Sequence, residues 1–418
     1  MLAFCRFALS AMIALTIYEQ RTVAQFSADA LRSQIRDTFF IGERLPELHT
    51  ELHRHFRIAP GVRAECVLYT TQYDMRVPAI VYRPDTLPSD GKKLPGLVVV
   101  NGHGGDKFSW YAYYAGILYA RAGAVVVTFD PTGEGERNPQ RKSGTRAHDQ
   151  IKGDATLARR QAGLLITDVM QAVSLLAQRP EVDANRIGIM GYSLGSFIVS
   201  LAGAIDRRPR VSVMVGGGNL DGPDEYWDNS KPMCQGLPYR ALDYLGDRPA
   251  TVYALHALRG ATLICNGRDD TVVNMHRTHE PFFEDLQARV ARLLGSSANT
   301  FDFQIIDRCS HRPLFVTRPV VQWLERQLDL PNWTSQDIDN LPDTRVGDWS
   351  TRFDIEMDKG YATEDREAGT RALLDDVPGF NRWDLAVLTE TAWRQRKQEL
   401  IIDSWLANAR ASELVDLK

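Results

Sequence analysis

The sequence is poor in most features that would betray a role by composition alone. It holds only 5 cysteines in 418 residues, and none stands at a metal-ligand spacing. Cys5 belongs to the N-terminal leader. Cys66, Cys234, Cys265 and Cys309 remain; spacing cannot choose among their possible pairings, and buried free thiols are the plain reading. The net charge is only -4, so there is no basic field to attract nucleic acid or an anionic membrane surface. After the leader, no apolar run is long enough to span a bilayer. Internal repeats and low-complexity tracts are absent. "TFDPTGEGERN" is glycine-rich but matches neither G-x-x-x-x-G-K-[ST] nor G-x-G-x-x-G, so it reads as a pocket rim and not as a phosphate cradle. His276 and His279 are one helical turn apart, but they lack a third ligand and the H-E-x-x-H order, so no metal site is expected. No cofactor motif is present either.

What the chain does have is a core and a rhythm. It is 44% hydrophobic and 24% charged, an ordinary globular balance. Residues 1–24 combine an early cation, an apolar run from Phe7 to Tyr18 and small residues at Thr22 and Ala24, which predicts a signal peptide and a secreted or periplasmic location. Residues 25–60 read as a helical extension, with His49, His53 and His55 on its polar face. "RAECVLYTTQYDMRVPAIVYRP" predicts an antiparallel strand pair. From Gly96 onward, continuous apolar runs ("LVVVNG", "AVVVTFD", "RIGIMG", "VSVMVGG", "ATLICNG", "FDFQIID") alternate with helical patterns. That alternation predicts an α/β fold: a mostly parallel sheet covered by helices on both faces, with antiparallel lead-in strands and a helical C-terminal appendage. The sheet domain spans 61–330, with an insertion at 218–252 near the site. Residues 331–418 are a loop and helical extension, either packed on the body or free to bind a partner.

One motif carries chemistry. Gly191-Tyr192-Ser193-Leu194-Gly195 joins the end of a buried strand to an apolar helix. Such a turn exposes a serine at the sheet edge, and the glycines allow strand and helix to approach. The Leu194 amide and the helix N-terminus point at the same place. A serine needs a base, and the base an orienting acid, following it in chain order. Asp269 and Asp270 end the fifth parallel strand, and His311 ends the sixth. "VVVNGHGGDK" supplies a second oxyanion donor, Gly105 first and Gly104 second, with His103 as a scaffold residue. Trp110, Tyr226 and Trp227 are candidate substrate-facing aromatics, with core packing as the alternative.

The motifs "HGG", "DPTGEGER", "RIGIMGYSLG", "NGRDDTVV" and "SHRP", in this order, resemble the α/β-hydrolase fold family, in its acetyl xylan esterase-like and dienelactone hydrolase-like branch, over roughly residues 62–330. The resemblance implies cofactor-free hydrolysis by Ser193, His311 and an acid. Its G-x-x-D-x-x-V pattern matches Gly267, Asp270 and Val273 in register, which selects Asp270. Ser196 after Gly195, and Cys309-Ser310 before His311, depart from the usual small residues. The implied activity is a secreted serine hydrolase cleaving a small-molecule or carbohydrate carboxylic ester. A prolyl oligopeptidase-type peptidase and a non-catalytic binding protein of the same fold are the rivals. Oligomeric state is not legible.

Overall fold

Nine strands form the frame: β1 (Glu51–Ala59), β2 (Val62–Thr70), β3 (Arg76–Pro84), β4 (Leu94–Val100), β5 (Val125–Phe129), β6 (Val182–Tyr192), β7 (Val211–Val215), β8 (Ala261–Gly267) and β9 (Asp302–Ile306). The computed structural model describes residues 27–295, 300–355, 357 and 370–416. The N-terminal leader read from the sequence lies outside them.

The strand order is β1-β2-β3-β5-β4-β6-β7-β8-β9. The first three strands pair antiparallel, β3 meets β5 antiparallel, and the rest of the sheet is parallel. All residues of β4, β5 and β7 are buried, which is why these strands read as unbroken apolar runs instead of alternating ones. The order reverses beside β4, and the central strands β4 and β6 carry their C-terminal ends to one edge. Ligands bind at such an edge in open α/β sheets.

Helices cover both faces. On one face α1 (Ala28–Thr38), α3 (Ala155–Ala177), α4 (Leu194–Ile205), α5 (Arg248–Ala257) and α6 (Glu280–Leu294) share a core with the sheet. On the other, α2 (Trp110–Arg121) and α7 (Arg318–Leu328) do so. Helix α3 starts at Asp154, whose carboxylate accepts from the Thr156 and Leu157 amides. Among the described residues no helix is long and apolar enough to cross a membrane.

Two expectations need correction. The extension at 25–60 is helical only in α1; Glu51–Ala59 is a strand, so His53 and His55 lie on β1 and not on a helix. An edge strand with one exposed side offers little local pattern, and its pairing with β2 supplies the backbone partners that decide the matter. The C-terminal segment is no free module. Trp349 is buried against Trp110 and Tyr114. Val387, Leu388, Trp393, Leu400 and Ile401 pack with Cys66 and Leu68 of β2, and Trp405 packs in a cluster with Met75 and Leu157. Truncating one such tryptophan to alanine costs about 3–5 kcal/mol, so the tail is part of the fold.

Candidate active site

Ser193 follows β6 directly and opens α4. Its backbone sits at φ 57°, ψ -116°, a region L-residues rarely adopt. The glycines beside it explain how the turn closes. A Cβ on Gly191 would meet the Gly195 carbonyl oxygen at 2.1 Å, and a Cβ on Gly195 would meet the Val100 carbonyl oxygen at 2.3 Å. Two bonds fix the elbow: the Ser193 amide donates to the Val215 carbonyl (2.9 Å), and the Ser196 hydroxyl donates to the Ser193 carbonyl (2.7 Å). Ser196, the departure noted in the sequence, thus braces the turn. Leu194 is the first residue of α4, and the first amides of a helix take no partner from their own helix.

His311 reaches the same edge from beyond β9. Its Nδ1–H donates to Asp270 Oδ2 at 2.6 Å, with both side chains buried. The other Asp270 oxygen accepts the amides of Val272 (2.8 Å) and Val273 (3.3 Å). These donors fix the direction of the carboxylate. Asp269 is exposed, and its amide donates to the Cys309 carbonyl at 2.9 Å. Gly267 makes this crossing possible, since a Cβ there would lie 2.2 Å from the same carbonyl oxygen. The Tyr192 ring packs 4.8 Å from the His311 ring, and its hydroxyl donates to the His311 carbonyl (3.3 Å).

The loop after β4 runs alongside. A Cβ on Gly102 would touch the Ser193 Cβ at 3.2 Å, so this loop passes against the serine. The first-choice oxyanion donor is corrected here. The Gly105 amide donates to the Gly102 carbonyl at 3.0 Å and is spent within the loop. A tight turn consumes one amide of its own, and composition cannot tell which.

The aromatic candidates are also relocated. Trp227 is 1% exposed and stacks on Phe197 at 5.2 Å. Trp110 is 6% exposed and lies under Trp349. Both fill core, while Tyr226 is half-buried against Trp227. "DPTGEGER" is likewise not a rim. Lys107 Nζ lies 2.5 Å from Asp130 and 2.8 Å from Glu136, with all three side chains fully buried. Arg141 meets Glu136 at 3.1 Å, and Arg137 meets Asp168 at 2.5 Å. Glu136 accepts the Val387 and Leu388 amides at 2.8 and 2.9 Å, which ties the C-terminal segment to the loop. Burial works against the Lys107 ammonium, but the two carboxylates outweigh it and raise its pKa.

One grouping escaped the sequence reading entirely. His103, His148, Asp149 and Cys234 bring one donor atom each to within 4.8 Å of one another. His103 Nε2 is 3.3 Å from Asp149 Oδ1 and 3.1 Å from Cys234 Sγ, and the thiol donates to Asp149 Oδ1 at 2.7 Å. Burial, aided by His103, pushes His148 down to about 4, so its imidazole is neutral at neutral pH. Burial raises Asp149, but the His103 hydrogen bond and charge outweigh it and hold this carboxyl well below the usual range. All four cysteines among the described residues are free thiols.

Comparison with known proteins agrees with this architecture. Residues 44–215 match the acetyl xylan esterase (AXE1) family. An uncharacterized Pseudomonas aeruginosa protein is 26% identical over 167 residues, a match that spans 40% of this chain and 40% of that relative. Among solved structures, the acetyl xylan esterase from Paenibacillus sp. R4 aligns over 72% of this chain and 94% of its own, at 17% identity and a TM-score of 0.50. Methylesterase BT1017 aligns over 93% of this chain and 71% of its own, at 20% identity and a TM-score of 0.54. The glucuronoyl esterase from Solibacter usitatus aligns over 70% and 90%, at 14% identity and a TM-score of 0.51.

Proposed function

We propose that this chain, a member of the α/β-hydrolase fold family with an acetyl xylan esterase-like first half, is an exported serine esterase acting on acetylated carbohydrate or a similar small ester. The observation that carries the reading is the buried His311–Asp270 hydrogen bond at 2.6 Å, at the sheet edge where β6 delivers Ser193 in its strained elbow. The family match supports the acetyl ester, and the apolar N-terminal run of the sequence supports export.

In this mechanism the Ser193 hydroxyl attacks the ester carbonyl carbon. Its proton passes to His311 Nε2, while Nδ1–H stays on Asp270 and stabilises the imidazolium. The carbonyl oxygen becomes an oxyanion, held by the Leu194 amide and by the amide of Gly104, which takes the place first given to Gly105; the Gly102 amide is already bonded to the Tyr111 hydroxyl at 3.1 Å. When the tetrahedral intermediate collapses, His311 returns the proton to the leaving alcohol. Water then repeats the sequence on the acyl-enzyme and releases the acid.

The test is Ser193→Ala against the unaltered protein. The variant is expected to lose fluorophosphonate labelling and about 10⁶-fold in kcat, since nucleophile and base act as a unit. Full labelling of the variant would remove Ser193 from the mechanism. A panel of acetylated xylo-oligosaccharides, methyl uronates and aminoacyl anilides then fixes the class. Preference for the anilides would favour the peptidase reading.

A further inference from the structure

Cys234, His103 and the His148-Asp149 pair come from three distant parts of the chain. His103 lies in the loop after β4, His148 and Asp149 on a short turn at Ala147–Gln150, and Cys234 on the turn Pro232–Gly236 of the insertion. Their side chains nonetheless converge. The His103 and His148 rings stack nearly parallel, with centroids 5.3 Å apart and planes 9° apart. Both Nε2 atoms approach the same Asp149 oxygen, at 3.3 and 3.6 Å.

The hydrogen-bond inventory of this cluster does not close. His148 is 1% exposed; the Thr132 backbone acts on its ring, but neither ring nitrogen makes a well-formed hydrogen bond. A buried polar atom whose bond is poorly made costs up to about 1–3 kcal/mol. Cys234, His103 and His148 all approach Asp149 Oδ1, at 2.7, 3.3 and 3.6 Å, one group more than the two lone pairs of that oxygen. A cation removes the difficulty, because it replaces donors competing for one oxygen with four lone pairs directed at one centre.

We propose that His103, His148, Asp149 and Cys234 bind a divalent cation of Zn²⁺ type in tetrahedral geometry, through two Nε2 atoms, one carboxylate oxygen and one thiolate. The donor chemistry fits. Two neutral imidazoles, a carboxylate and a thiolate neutralise a divalent ion, so no net charge is left in a buried place. The thiol proton goes to solvent on binding. All four donors lie within 4.8 Å of one another, so the widest pair closes by about 1 Å on binding. Bonds of about 2.0–2.1 Å to nitrogen or oxygen and about 2.3 Å to sulfur put tetrahedral ligand atoms roughly 3.3–3.7 Å apart. The two imidazole–carboxylate separations and the His103–Cys234 separation, at 3.3, 3.6 and 3.1 Å, lie close to this. The Cys234–Asp149 separation of 2.7 Å would open by less than about 1 Å. Four protein ligands leave no open position, so the ion is structural. It joins the loop that passes against Ser193 to the 218–252 insertion. The proposal does not depend on the esterase reading.

The experiment uses tag-free, full-length protein stripped with chelator and reloaded with Zn²⁺ or Co²⁺. We expect one ion per chain. The Co²⁺ form shows the intense visible bands of a tetrahedral ion and a thiolate-to-cobalt charge-transfer band. Cys234→Ser abolishes that charge-transfer band, and His148→Gln weakens Zn²⁺ binding at least about a hundredfold. Should either variant fail to fold, zinc X-ray absorption of the unaltered protein decides alone, with one sulfur expected at about 2.3 Å. Failure of the protein to retain stoichiometric Zn²⁺ overturns the site. So does a shell of nitrogen and oxygen only, the pattern that His276 and His279 would give, and so does a charge-transfer band that survives in Cys234→Ser.

Discussion

Two buried polar clusters hang from one loop, Gly102–Lys107, and they are closed to different degrees. On the Lys107 side, two cations (Lys107 and Arg141) face two anions (Asp130 and Glu136), and the remaining lone pairs of Glu136 take the Val387 and Leu388 amides. On the His103 side, a single carboxylate faces two imidazoles and a thiol. The residue types are similarly polar and similarly buried. The difference is whether fixed cations of the protein face the carboxylates. A cluster that has them is a fastening, here between the loop and the C-terminal segment. A cluster that lacks them can take a cation from outside.

The His311–Asp270 pair is a third arrangement, and it gives the largest expected effect. Its acid is saturated by backbone amides, so losing the charge should damage catalysis and leave the fold standing. Asp270→Asn is expected to lower kcat about 10⁴-fold by favouring the wrong tautomer, while Asp269→Asn, exposed and pointing elsewhere, costs far less than a hundredfold. Measuring kcat and the melting temperature of both on one activated ester checks this. The reverse ranking would move the acid to Asp269.

Lys107→Met breaks the closed cluster from inside. It leaves two buried carboxylates facing one guanidinium, and removal of one partner from such a pair costs about 3–5 kcal/mol. Urea unfolding should show that loss. Because Glu136 also holds Val387 and Leu388, limited proteolysis should cut the C-terminal segment first. A variant as stable as the original protein would mean that the cluster is not a fastening.

His256 gives the smallest effect and sharpens the contrast with His148. Both are buried and both are pushed down to about 4, in each case chiefly by burial. His256, however, has a well-formed bond: its Nε2 donates to the Ser200 carbonyl at 2.8 Å. The unfolded chain protonates a histidine near 6.5, so it binds more protons than the folded chain between about pH 6.5 and pH 4. The stability His256 contributes is therefore full above about 6.5 and falls as pH drops towards 4, by about 2 kcal/mol between pH 7.5 and pH 5. Unfolding at both pH values should show that His256→Gln loses this increment of pH dependence. An unchanged pH dependence would count against it.

The parts of this protein determined by the sequence itself are those built from contiguous residues. The strands β4 to β8 are legible because burial on both faces needs unbroken runs such as "LVVVNG" and "ATLICNG". The Ser193 elbow is legible because its motif is contiguous and Gly191 is fixed by Gly195 four residues on, although Gly195 itself is required by the Val100 carbonyl of the neighbouring strand. The Asp270 register follows from Gly267 and Val273 close by. What only the tertiary structure decided lies between distant segments. The β1 strand had no local pattern strong enough to outweigh a helical reading, and pairing with β2 made it a strand. Trp110 and Trp227 could equally have faced a substrate, and Trp349 and Phe197 cover them. The Gly105 amide was spent by a turn whose shape depends on Tyr111 and Ser193 around it. His103 and Cys234 are 131 residues apart in the chain, so no motif spacing could join them. Sequence patterns record what neighbouring residues must do, because the backbone couples them directly; which remote side chains share a volume is set only when the packed sheet closes around them.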